Sequence, residues 1–195
     1  MATVANTRLM TADAFYDDPH VPEHAELVDD EVVEVTAPPP SHGWIARNVQ
    51  RALDAFVAQR RLGQVFGDNV PFTLGAHRVR VPDVSFLSAA RVPGPPPSHG
   101  GWPCAPDLAV EVVSPSERRP GILRTVADYF EAGGREVWLI DEEDRTVEVH
   151  AVDAPVRLLD ETGVLEGADA LSGFQLPVVD VFAGKGPRAG GDAAR

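Results

Sequence analysis

Asp83 and Glu111 are the residues of this sequence best placed to do chemistry. Asp83 follows Pro82 and opens the apolar stretch Val84-Ser85-Phe86-Leu87, and Glu111 interrupts the apolar stretch Leu108-Ala109-Val110-Glu111-Val112-Val113. A carboxylate inside a strand destined for burial is costly unless a cation or hydrogen-bond donors satisfy it. Two such acids on successive strands can share a divalent cation. Mg²⁺ takes octahedral oxygen ligands and keeps several waters. Two carboxylates, one backbone carbonyl and a substrate phosphate would suit it, and the carbonyl candidate is that of Val112. The chemistry would be phosphodiester hydrolysis, in which the cation eases proton loss from water and offsets charge building on phosphate. Such centres usually add a lysine two residues after the second acid. Val113 stands there, and the sole lysine of the chain is Lys185.

The elements that must position these acids are legible in the periodicity. Thr11 predicts an N-cap for a short helix over Ala12 to Asp17. Residues 25–30 and 31–35 read as strands around an acidic turn. Ser41 is expected to cap a long helix to about Arg61, with Ile45, Val49, Leu53 and Phe56 at helical spacing and Gly63 closing it. Strands are expected at 64–66, 70–74 and, unbroken, at 79–87. Residues 91–106 form a long Pro/Gly-rich loop between the acid-bearing strands. A strand over 107–113 leads to a helix over about 121–132, with Ile122, Val126, Tyr129 and Phe130 inward. Val137 to Ile140 reads as a strand buried on both faces. A hairpin over 146–152 and 156–159 follows, and 176–182 is expected as a last edge element. The order predicts an α/β (α+β) fold with a restriction-endonuclease-like core, a central mixed β-sheet flanked by helices. One domain spans 10–183, and residues 1–9 and 184–195 have the composition of disordered tails.

Six segments occur in a fixed order: Glu26-Leu-Val-Asp-Asp-Glu-Val, Pro38-Pro-Pro-Ser-His-Gly43, Arg80-Val-Pro-Asp-Val-Ser-Phe86, Pro106-Asp-Leu-Ala-Val-Glu-Val-Val-Ser-Pro-Ser116, Asp128-Tyr-Phe-Glu-Ala-Gly133 and Glu136-Val-Trp-Leu-Ile-Asp141. Together they resemble the Uma-type family of restriction-endonuclease-like proteins, in the PD-(D/E)XK nuclease superfamily, over about residues 10–152. The resemblance implies a Mg²⁺-dependent phosphodiesterase fold, DNA as the substrate, and a homo-oligomer. It implies Asp83 and Glu111 as metal ligands and Glu26 as a supporting acid. Members tend to carry their lysine on the following helix, four residues before the tyrosine. Thr125 occupies that position here, beside Arg124. Arg124, or else Arg118 or Arg119, could place positive charge on a phosphate, but arginine stays protonated and cannot act as a base. The glycine usual in the first hairpin is replaced by Asp30. The leading expectation is a Mg²⁺-dependent endonuclease. The alternative is a catalytically impaired descendant serving as an oligomeric binding or regulatory module.

Other residues have plainer readings. His42 reads as a helix-start residue bonding locally. Trp44, Trp102 and Trp138 read as core or loop anchors, and Arg78 and Arg80 as either phosphate contacts or solvated charges. No Ser/His/Asp set, phosphate-binding glycine loop or zinc spacing supports unrelated chemistry. One cysteine, Cys104, permits no internal disulfide, which fits a reducing compartment. No signal-peptide core or bilayer-length apolar run is visible, so a soluble cytoplasmic protein is expected, without membrane contact. The net charge is −13, divided as −8 over residues 1–40, +3 over 41–135 and −8 over 136–195. The section holding both candidate ligands is therefore the only basic one. The overall charge predicts weak non-specific DNA binding.

Overall fold

The computed structural model describes residues 10–35, 38–114 and 117–184. The tails expected at 1–9 and 184–195 lie outside these residues, Gly184 apart. Helix α1 (Ala12–Asp17) is capped as expected, with the Thr11 hydroxyl accepting from the Ala14 N–H at 3.2 Å. Strands β1 (Ala25–Val28) and β2 (Glu31–Glu34) form a hairpin. Its two-residue turn is Asp29-Asp30, both with positive φ (47° and 72°). Aspartate tolerates this left-handed backbone better than most residues, so the turn survives without glycine.

Helix α2 runs over Pro40–Arg60. Pro39 is its N-cap, so Ser41 lies inside the first turn rather than capping it; proline at the first helical position gives up only an N–H that has no intrahelical acceptor. The helix ends before Gly63 is reached, because Arg61 takes the left-handed cap itself (φ 55°). Gly63 instead opens β3 (Gly63–Phe66).

Strands β4 (Phe72–Gly75) and β5 (Arg78–Arg80) precede β6 (Val84–Ser88). The unbroken strand expected over 79–87 is thus two strands, and they belong to different sheets. Pro82 cannot donate a ladder hydrogen bond, and the chain changes sheet there, immediately before Asp83. Next come β7 (Leu108–Val113), α3 (Arg119–Glu131), β8 (Glu136–Asp141), β9 (Thr146–Ala151) and β10 (Arg157–Leu159). The last edge element expected at 176–182 is not an edge of the main sheet. β11 (Val164–Glu166) and β12 (Gln175–Pro177) pair as a separate ribbon, and 178–181 form the short helix α4.

The central sheet has the order β10-β9-β8-β7-β6-β3, and a smaller sheet the order β2-β1-β5-β4. In the central sheet only β7 and β8 run parallel. Parallel neighbours need a crossover, and α3 supplies it. The sheet is therefore mixed and covered on both faces. On one face α2 buries Ile45, Val49, Leu53 and Val57 against Val84, Phe86, Leu108, Val110, Val112, Trp138 and Ile140. On the other, Val126 and Tyr129 of α3 pack on Leu87, Ala109, Val137 and Leu139. Side chains alternate along a strand, so Glu111, between Ala109 and Val113, faces α3.

Candidate metal centre

β6 and β7 pair antiparallel, with Val84 opposite Val110, Ser85 opposite Ala109 and Phe86 opposite Leu108. Continuing that register by one residue sets Asp83 opposite Glu111. Glu111 thus stands on the α3 face, and Asp83 lies at the end of the sheet where β6 begins. Asp83 Oδ2 accepts the Val112 N–H at 2.7 Å. The N–H and C=O of a strand residue point to the same side, so the Val112 carbonyl also faces the gap beyond the start of β6. The structure brings these three groups together.

Glu111 is tied to α3 by Tyr129, whose hydroxyl donates to its Oε1 at 2.7 Å. Burial, then the charges of Asp83 and Glu26, hold the Glu111 carboxyl well above its ordinary pKa; the Tyr129 hydrogen bond and Arg80 oppose them. Burial, then the charges of Glu111 and Glu26, push the Tyr129 hydroxyl far up, so it remains a donor. Sequence reasoning placed Tyr129 in the core but did not find its hydrogen bond.

His42 is a correction. Only its backbone N–H bonds locally, to the Pro39 carbonyl at 3.0 Å; its ring Nε2 lies 2.7 Å from Asp83 Oδ1. Burial would lower its pKa, but the Asp83 hydrogen bond and charge, with Glu142 and Glu117, raise it on balance. The signal available in the sequence was its place in the Pro-Pro-Pro-Ser-His-Gly segment.

Glu26 enters from β1 of the smaller sheet. Its Oε1 accepts the Val81 N–H at 2.8 Å, and its Oε2 accepts from Arg80 Nη1 at 2.6 Å. Arg80 is neither solvated nor turned to a phosphate, as expected of an edge charge, but buried. Its Nε and Nη2 donate to Asp128 Oδ2 at 3.0 and 2.5 Å. Desolvation opposes its charge, yet Glu26 and Asp128 raise its pKa further still. Asp128, 0% exposed, also meets Arg78 Nη1 at 3.1 Å and Arg124 Nε at 2.9 Å.

The remaining cations lie further out. Arg124 Nη2 donates to Asp29 at 2.5 Å. Arg124 is thus linked to the centre only through a chain running Glu26, Arg80, Asp128, Arg124. Arg119 holds Glu148 through two 2.8 Å bonds, and Arg118 is an exposed N-cap. Thr125 bonds back to the Gly121 carbonyl at 3.3 Å. Trp102 and Trp138 are buried, whereas Trp44 is half exposed, its indole donating to the Ala183 carbonyl at 2.7 Å. A cleft of about 500 Å³ lies at the opposite end of β7 and β8, against Asp107, Arg135 and Glu136, and includes none of these acids.

Among the described residues, no three His, Cys, Asp or Glu side chains are grouped to hold an ion by themselves. The donor set fits Mg²⁺ in the other way such ions bind, through two carboxylates and a carbonyl with water or phosphate completing the shell.

A mixed sheet covered by helices, with a Pro-Asp acid and a strand Glu meeting at one end, defines the restriction-endonuclease-like nuclease fold. The family model Uma2, described as "Putative restriction endonuclease", matches residues 12–179. The chain belongs to that family, consistent with the PD-(D/E)XK superfamily. A crystal structure described as a putative nuclease belonging to DUF820, from Anabaena variabilis, superimposes with a TM-score of 0.77 at 22% identity, covering 89% of this chain and 97% of that one. That likeness supports the fold alone. No curated protein matches the chain. No described helix is long and apolar enough to cross a membrane.

Proposed function

We propose that this protein is a Mg²⁺-dependent endonuclease hydrolysing DNA phosphodiesters, working in the cytoplasm as a homo-oligomer. The observation that carries the reading is the cross-strand register of Asp83 and Glu111, with the Val112 carbonyl turned to the same gap. A buried carboxyl with raised proton affinity, as Glu111 is beside Asp83, is what a divalent cation relieves. A bound Mg²⁺ supplies Lewis-acid stabilisation of phosphate charge and eases proton loss from water. The chain's own residues do the rest. Asp83, Glu111 and the Val112 carbonyl bind the ion. His42 holds Asp83 and Tyr129 holds Glu111 in orientation, and Glu26 assists through the local field. Arg124 orients phosphate: it is 41% exposed and its partner Asp29 is 56% exposed, so exchanging that surface pair for a phosphate costs little.

Calorimetric Mg²⁺ titration and a plasmid-nicking assay on the wild type and Asp83→Ala test the proposal. Ion binding and nicking are expected in the wild type and neither in the variant; equal nicking by both discards the assignment.

One observation favours a second reading, a nuclease fold that has lost cleavage and serves as a binding or regulatory module. Thr125, in the lysine position, is turned back to its own helix, and no lysine lies among the described residues. Thr125→Lys separates the two. Cleavage gained from an inactive wild type identifies a decayed enzyme, whereas no cleavage together with no Mg²⁺ binding identifies the module.

A further inference from the structure

The three carboxylates near the centre are not equivalent donors. Asp83 has its oxygens on the His42 ring and the Val112 N–H. For Glu111, the Tyr129 hydroxyl engages Oε1. Glu26 is engaged at both oxygens, by the Val81 N–H at 2.8 Å and by Arg80 at 2.6 Å. Its cationic partner is of another kind from a histidine or a hydroxyl. A guanidinium keeps its charge at any working pH, and its planar fork fixes the geometry of the pair. Arg80 is buried and anchored from its other side by Asp128, which has no exposure at all. A centre using two ions needs ligands for a second cation about 3.5–4 Å from the first. Glu26 is the remaining acid whose charge reaches Glu111, and a permanent cation already occupies the place beside it.

We propose that Arg80 is the fixed second cation of this centre: by holding Glu26, it limits the pocket to one exchangeable divalent ion on Asp83 and Glu111. This role, which rests on the metal reading above, makes Arg80 a positioning residue that sets ion count rather than a group that touches substrate. The wiring around Asp128 allows the role to be isolated. Arg78 and Arg124 also contact Asp128, so removing Arg80 leaves Asp128 with cations and frees Glu26 Oε2, while Oε1 keeps the Val81 N–H.

The experiment counts ions on the full chain, by calorimetry with Mg²⁺ and by electron paramagnetic resonance with Mn²⁺, with circular dichroism confirming the fold of each variant. The wild type is expected to take one ion per chain. Arg80→Met is expected to take two, with the spectral broadening of two neighbouring Mn²⁺ ions, and Arg80→Met with Glu26→Gln to return to one. If Arg80→Met does not fold, Glu26→Gln decides, since it leaves the Arg80–Asp128 pair in place: one ion still bound supports the assignment, and lost binding makes Glu26 a ligand and overturns it. A folded Arg80→Met chain with one ion overturns it too. Two ions on the wild type overturn this assignment while leaving the endonuclease reading intact; none on the wild type removes the metal reading and this assignment with it.

Discussion

At the residue scale, the centre is an unfavourable arrangement maintained by its surroundings. Glu111 is buried beside Asp83 and within the field of Glu26, and all three effects raise its pKa above the ordinary 4.5. A carboxyl with a raised folded-state pKa stabilises the fold fully below its unfolded value, and that contribution is lost as pH rises through the folded value. His42 has the same sign, since its pKa is raised as well. The ion-free protein is therefore expected to lose stability from mildly acidic to neutral pH. Glu111→Gln keeps the side chain's size without its charge. In thermal melts with chelator present, it should raise Tm at neutral pH and change little below pH 4.5, the ordinary carboxyl value; a shift of equal size at every pH counts against the account. Asp83 and Glu111 were legible in the sequence because an acid among buried strand residues demands a partner. The partners themselves were not. His42 meets Asp83 across 41 positions and Arg80 meets Asp128 across 48, and no local pattern encodes such pairings. Arginine and histidine types alone are as compatible with surface charge.

At the element scale, periodicity located nearly every helix and strand, and the errors fall where backbone conformation rather than hydrophobicity decides. The apolar run from Val79 to Leu87 is continuous in type, yet Pro82 divides it between two sheets. That division brings Arg80 to Asp128 and Glu26 while Asp83 faces Glu111, so the break places the centre. Gly63 shows the same principle. Read as a helix terminator, it is instead the point where β3 meets β6, with Gly63 opposite Ser88. Its φ is 155°, and a Cβ there would lie 2.1 Å from the Leu87 carbonyl oxygen. Backbone cannot yield as a flexible side chain does. Gly63→Ala is thus expected to strip β3 from the sheet edge and cost about 2 kcal/mol or more. Urea denaturation measures the loss, and faster amide exchange at residues 63–66 would locate it. A neutral outcome would mean that the β3–β6 approach is looser than this geometry.

At the scale of the whole molecule, charge and closure oppose each other in the two halves of the fold. The basic section, 41–135, supplies the two metal-binding acids, and the acidic section, 136–195, supplies much of what covers α2. Phe174, Leu176, Val178, Val181 and Phe182 are buried in the same core as Ile45, Val49 and Leu53. The attachment is polar as well as apolar: Asn48 Nδ2 donates to the Val181 and Ala183 carbonyls at 3.1 and 3.0 Å, and the Arg145 guanidinium lies 4.9 Å from the centre of the Phe182 ring. The first turn of α2 also carries His42, the partner of Asp83, so the closing segment bears on the site through the helix it covers. At about 1.5–3 kcal/mol per buried apolar side chain, those five contribute about 7–15 kcal/mol to burial. The entire stability of a domain is about 5–15 kcal/mol. A chain ended after Ser172 is therefore expected to lose cooperative unfolding altogether, not merely to melt lower, although every residue assigned to the centre is still present. Near-ultraviolet circular dichroism should lose its fixed aromatic signal, and calorimetry should show no unfolding peak. A cooperative transition in the shortened chain would mean that the central sheet and α2 hold together unaided, and that this segment decorates the core rather than completing it.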